Sequence, residues 1–145
     1  MIRNHGFLPP IIDETHYKAG DGRLLGASDV NPSGDWEKFL PVYEAQADRF
    51  ETFGCTVFGS TNQIETLLKY YYGTEYNYSE RYLYNLSEIE PPGKDPQVVY
   101  ENIRRFGVIP QERLPMTDTL QEFKTPRPMT DFFKIDGASW KTTYF

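Results

Sequence analysis

Cysteine is almost absent from these 145 residues: Cys55 is the only one. A single thiol cannot form an internal disulfide, so packing must hold the fold, and a lone thiol suits a reducing compartment such as the cytosol. Histidine is nearly as scarce, with only His5 and His16. No run of eighteen apolar residues occurs, so no membrane span is expected. The opening MIRNHGFLPPIIDETHYK has two prolines and several charges where a signal peptide needs an apolar core, so export by such a signal is not expected either. Basic charge is also short. Fifteen Lys and Arg stand against 21 Asp and Glu, a net charge of −6, and the nearest approach to a basic cluster is Arg104-Arg105, which argues against a nucleic-acid partner. Internal repeats and low-complexity segments are missing too.

What is present is globular. Hydrophobic residues make up 39% and aromatic residues 16%, including eleven Tyr and ten Phe, enough for one domain with a packed core. Residues 1–34, with LPPIIDE, AGDGR and DVNPSGD, show no sustained period and read as an extended arm closed by turns at Asn31-Pro32 and Ser33-Gly34. DWEKFLPVYEAQADRF then supplies Trp36, Phe39, Leu40 and Val42 as a short ordered segment broken at Pro41. From Cys55 the pattern turns helical. Val57, Thr61, Ile64, Leu68 and Tyr71 share one face, Gly73 is a natural stop, and either Gly54 or Thr52 supplies the start. Ser79 caps a second helix, with Glu80 on its positive end and Tyr82, Leu83 and Leu86 inward. A third runs from the Asp95 cap and Pro96 through Val99, Ile103 and Phe106 to Gly107. VIPQERLPM and FKTPRPMTD read as proline-rich connections, and FFKIDGASWKTTYF as a strand, a turn at Asp136-Gly137 and a second strand.

Cys55 is then the first-turn residue of the best-marked helix. A thiol becomes a nucleophile by losing its proton, and a helix N-terminus favours the anion. The same position leaves the Cys55 N–H free to bind a developing oxyanion, a task usually shared with a second donor, for which Gln46 is the candidate.

The stretch CTVFGSTNQIETLLKYYYGTEYNYSERYL resembles, without a gap, the papain-like cysteine peptidases from their catalytic Cys onward. Phe58 matches an aromatic three residues on, Ile64-Glu65 a pair nine and ten on, Gly73 a glycine at plus eighteen and Ser79-Glu80 a pair at plus 24 and 25. Upstream, Asp35-Trp36 resembles an Asp-Trp near the mature N-terminus. Downstream, PPGKDPQVVYENIRRFGVIPQERLPM is similar to the family's glycine-bearing loop, its following helix and a proline-ended segment, so the resemblance covers about residues 35–116. It implies an α+β, papain-like fold consisting mainly of the helical subdomain with its central Cys-bearing helix. The implied division is an arm (1–34), the helical subdomain (35–116), and a connection with the first strands of an incomplete β subdomain (117–145). It also implies that Cys55 is the nucleophile, that Gln46 is the oxyanion donor and that the Gly93 backbone pairs with an extended substrate peptide. Gly107, Glu112 and Pro115 would be structural, and Glu65 a buried hydrogen-bonding residue without chemistry.

Three departures stand out. Gln46 lies nine residues before the Cys where the family places its Gln six before, Thr56 replaces the usual Trp, and the family's disulfides are missing, as in disulfide-free phage and bacterial relatives. A further departure, the source of the catalytic His, bears on function most. The family's catalytic His and its orienting Asn belong to a β-rich second subdomain, whereas both His here lie in the arm. A Cys without a base is only a few per cent thiolate at neutral pH, given an ordinary pKa of roughly 8.5.

The expectation is therefore the Cys-bearing half of a peptidase acting on peptide or protein substrates, inactive alone and completed by a partner chain or segment. The competing expectation is a catalytically silent subunit of an assembly such as a viral particle. Either places the protein in the cytoplasm or within such a particle. His16 with Asp13 and Glu14 matches no common ligand spacing, so no metal or other cofactor is expected. The run KYYYGTEYNY reads as core and rim packing, and the sequons at Asn77 and Asn85 carry no meaning without a secretion signal.

Overall fold

The computed structural model describes residues 6–7, 31, 33–124 and 127–140. It is mainly helical, with a β component of two short strands. In chain order come β1 (Gly6–Phe7), α1 (Cys55–Tyr72), α2 (Glu80–Leu86), β2 (Gly93–Lys94), α3 (Pro96–Phe106), α4 (Leu120–Phe123) and α5 (Arg127–Gly137), with 3-10 turns at Glu37–Phe39, Gln111–Arg113 and Ala138–Trp140. The strands pair in parallel, Gly6 opposite Gly93 and Phe7 opposite Lys94. None of the described helices is long and apolar enough to cross a membrane.

α1 is the axis, packed against α2, α3, both strands and the turn at Glu37–Phe39. Val57 and Thr61 are fully buried on its inner face, with Ile64 and Leu68 partly buried behind them. Polar residues fit there because the Ser60 and Thr61 hydroxyls donate to the Thr56 and Val57 carbonyls at 2.7 and 2.9 Å. Gly73 ends the helix with φ 66°, a left-handed conformation that suits glycine. Tyr71, expected on the inner face, is 55% exposed, and its neighbour Tyr70 instead packs against Trp36 and Phe39.

α2 and α3 start as expected. Ser79 Oγ accepts the Tyr82 N–H at 3.1 Å, and Asp95 Oδ1 accepts the Gln97 N–H at 2.8 Å. Tyr82, Leu83, Val99 and Ile103 meet Ile89, Ile109 and Phe123 in the core, each at most 1% exposed. Phe123 is held by Tyr84 and Phe50, with ring centroids 4.9 and 5.5 Å away. Its carbonyl accepts from Asn85 Nδ2 at 2.8 Å and Arg81 Nε at 3.1 Å.

Two expectations fail. The segment read as a strand, turn and second strand is α5 followed by a 3-10 turn over the described residues. A strand burying Phe133 would also bury Ile135, yet Ile135 is 77% exposed while Phe133 and Gly137, four apart, are buried, which is a helical period. Gly137 marks close packing instead of a turn: a Cβ there would sit 2.5 Å from the Phe106 carbonyl oxygen and 3.1 Å from Tyr82 Oη. Pro128, taken as part of a connection, sits in the first turn of α5, where proline is tolerated. The second failure lies upstream. Leu40 and Val42, expected in an ordered segment, are 54% and 70% exposed, and the chain from 40 to 54 has no regular structure.

These contacts predict opposite outcomes for two glycine substitutions. Gly137→Ala forces α5 away from α3 and should cost about 2 kcal/mol. Gly59→Ala, with nothing within 4 Å of its added Cβ, should gain about 0.5–1 kcal/mol from helix propensity. Urea unfolding of the two variants beside the parent checks both signs.

Candidate functional site

Cys55 is the first residue of α1, and the four residues before it form a tight elbow. Glu51 Oε1 accepts the Phe53 N–H at 2.9 Å, and Thr52 Oγ1 accepts the Gly54 N–H at 3.0 Å. Thr52 is fully buried. Phe53 is thereby held at φ 55°, a left-handed conformation that a bulky side chain rarely adopts. Such strain persists only where the surroundings enforce it, and it collects at functional sites. Gly54 fits because a Cβ would crowd Thr52 Oγ1 at 3.0 Å. The Gly54 carbonyl then accepts from Val57 and Phe58 at 2.8 and 3.1 Å, opening the helix.

The elbow presents Cys55 half buried. As the first helical residue it has an N–H with no intrahelical acceptor, and among the described residues no hydrogen bond from it is found. Its thiol, however, is shifted the wrong way for a nucleophile. Burial pushes it above its usual value, the Thr56 N–H pulls it partly back, and the Glu51 carboxylate adds to the push. The charged group bearing on the thiol is thus an anion, whereas an activated thiol needs a cation or base.

Gln46 occupies a turn in the irregular stretch, half buried, and among the described residues no hydrogen bond joins it to the Cys55 elbow. Gly93 is buried at φ 138°, a region essentially reserved for glycine, and its N–H bonds the Glu90 carbonyl at 2.8 Å. β2, which contains Gly93, packs against α1. The edge that the resemblance assigns to a substrate peptide carries this chain's own Gly6–Phe7 in parallel register. Glu65 is 4% exposed and accepts the Tyr78 N–H at 2.7 Å, so it serves as a buried hydrogen-bonding group.

His5 and His16, with Asp13 and Glu14, lie outside the described residues. Among the described residues no group of three His, Cys, Asp or Glu is arranged to hold a metal ion. Sequence reasoning missed Glu51 and Phe53. Gly54 is the one local hint of an elbow, and nothing in the residue type of Phe53 marks a left-handed position.

On the chain alone, Cys55 should therefore react with iodoacetamide slowly at neutral pH, its rate rising only above the usual thiol range. Glu51→Gln keeps an acceptor for the Phe53 N–H and removes the charge, so it should move that rise to lower pH. Alkylation rates of parent and variant across pH, with no other thiol present, measure this directly.

Compared with protein-family models, with curated proteins and with solved structures, the chain matches none.

Proposed function

We propose that this chain is the Cys-bearing, helical half of a papain-like cysteine peptidase, with an imidazole supplied from outside this chain. The observation that carries the reading is the placement of Cys55 at the N-terminus of the central helix. There it sits on a strained elbow, with its N–H free of partners among the described residues and a strand edge containing Gly93 packed on the same helix. The spacing of motifs over residues 35–116 described above supports the same assignment through resemblance.

In this reading the external imidazole takes the Cys55 proton and the thiolate attacks a peptide carbonyl carbon. The carbonyl oxygen becomes an oxyanion held by the Cys55 N–H, with Gln46 as second donor. Collapse breaks the C–N bond, the imidazolium returns its proton to the leaving amine, and water then hydrolyses the thioester. Gly93 offers its backbone to the substrate, which requires residues 6–7 to leave that edge. Beside Gln46, Val42 and Tyr43 are 70% and 86% exposed, which supports a partner chain covering this surface. No cofactor takes part.

The raised Cys55 thiol and the adjacent Glu51 favour a second reading, a papain-like fold reused as a non-catalytic subunit of an assembly, for example a viral particle. A peptidyl vinyl sulfone separates the two. Under the peptidase reading it labels Cys55 in the complete native assembly at neutral pH, leaves the isolated chain nearly unlabelled and gives no adduct with Cys55→Ser. No labelling in either sample would leave the structural subunit as the account.

A further inference from the structure

Away from Cys55, the C-terminal end of α1 and the irregular stretch upstream of the helix share one aromatic surface. Centroid to centroid, Trp36 lies 6.2 Å from Phe39 and 5.2 Å from Tyr70, and Phe39 lies 5.0 Å from Tyr70. Tyr71 adds a fourth ring, 5.0 Å from Tyr70. Two hydrogen bonds lay the upstream stretch along this end of the helix. Lys69 Nζ donates to the Leu40 carbonyl at 3.0 Å, and Asn77 Nδ2, just past the helix, donates to Glu44 Oε1 at 3.0 Å. Val42 and Tyr43 span the interval between those two ties.

The outer side of the surface is uncovered. Leu40, Val42, Tyr43, Tyr71 and Tyr72 are each more than half exposed. A tyrosine at the rim of a core packs its ring and leaves its hydroxyl wet, whereas Tyr43, at 86% exposure, packs against almost nothing. Apolar side chains gathered at one place on a surface mark an interaction site, unlike single ones scattered over it. The backbone is open there as well. Residues 41–45 have no regular structure, and among the described residues Val42 and Tyr43 make no hydrogen bond through their backbone. An extended segment laid beside them finds free donors and acceptors.

Charge narrows the choice of occupant. Asp35 and Glu37 flank Trp36, Glu44 follows Tyr43, and Glu75 stands 3.4 Å from Lys69. The two cations of the region are both engaged, Lys69 in the contacts just given and Lys38 over the Phe39 ring at 4.9 Å. No ion pair among the described residues engages Asp35, Glu37 or Glu44. An apolar face with this border repels nucleic acid and anionic lipid and attracts positive charge.

We infer that this face docks an extended, basic segment of a partner chain, with its apolar side chains against Val42, Tyr43 and Tyr71 and its Lys or Arg beside Glu37 and Glu44. Arg suits the site best, because a guanidinium stacks on aromatic rings as well as pairing with carboxylates. The inference shares with the proposed function the claim that a partner covers this side of the chain, and it needs nothing of the chemistry at Cys55.

A random peptide library displayed on phage, panned on the full chain carrying Cys55→Ser, tests the inference without peptidase activity. The enriched peptides should combine Lys or Arg with aromatic or aliphatic residues, and synthetic copies of them should bind less tightly as salt is raised. Tyr43→Ser should weaken that binding about tenfold or more. Glu37→Gln with Glu44→Gln, which keeps an acceptor for Asn77, should weaken it about tenfold. Phe132→Ser, at an exposed ring on α5, should leave it unchanged. These side chains lie outside the buried core, and circular dichroism checks that each variant is folded. No enrichment, enrichment of acidic or purely apolar peptides, or binding indifferent to Tyr43→Ser would overturn the proposal. So would a dimer of this chain in sedimentation velocity that Tyr43→Ser abolishes, because a second copy would then hold the face.

Discussion

One buried hydrogen bond aligns most of this fold: the Glu65 carboxyl on α1 accepting the Tyr78 N–H at 2.7 Å. It fixes an extended turn of chain against the central helix, and that turn then pairs with a distant segment. The Ser79 N–H bonds the Ile109 carbonyl and the Gln111 N–H bonds the Asn77 carbonyl, both at 2.9 Å. The Ser79 hydroxyl, having capped α2, donates to the Leu114 carbonyl. A residue in the middle of α1 thereby aims the start of α2 and anchors the chain after α3. Removing the Glu65 acceptor would leave a buried N–H unsatisfied at the junction of all three, a loss costing more than an ordinary hydrogen bond is worth.

A helix fixed in this way gives Cys55 a rigid platform, and the elbow at Phe53–Gly54 fixes its direction. Rigidity and activation are separate properties, however, and the described residues supply only the first. The burial that immobilises Cys55 also disfavours its thiolate, and Glu51, which shapes the elbow by holding the Phe53 N–H, adds a negative charge beside the sulfur. The residues that position the proposed nucleophile thus work against its ionisation. Under the peptidase reading a partner must overcome both effects, and an imidazolium placed beside the sulfur would do so by forming an ion pair.

The helical half of the fold was legible because its signals are local. Asp95, Pro96 and Gly107 bracket α3, Ser79 caps α2, and Val57 with Thr61 marks the buried face of α1. α5 was not legible. Its Phe132–Ile135 stretch offers an apolar alternation, and the Gly137 that suggested a turn is explained only by the Phe106 carbonyl, which packs against it from another helix. Cys55 and its helix position could be read from spacing and resemblance. The strain at Phe53 and the opposing charge of Glu51 could not, because each depends on backbone conformation or on partners brought together only by folding.

The central claim is that an imidazole from outside this chain makes Cys55 a nucleophile. Because Cys55 is the only thiol in the chain, its ultraviolet thiolate absorbance can be titrated as a difference between the parent assembly and the same assembly with Cys55→Ser. The account predicts that in the complete native assembly the thiolate persists below about pH 6, paired with an imidazolium. A thiolate that appears only above about pH 8.5 in that assembly would contradict it and leave Cys55 an ordinary buried thiol.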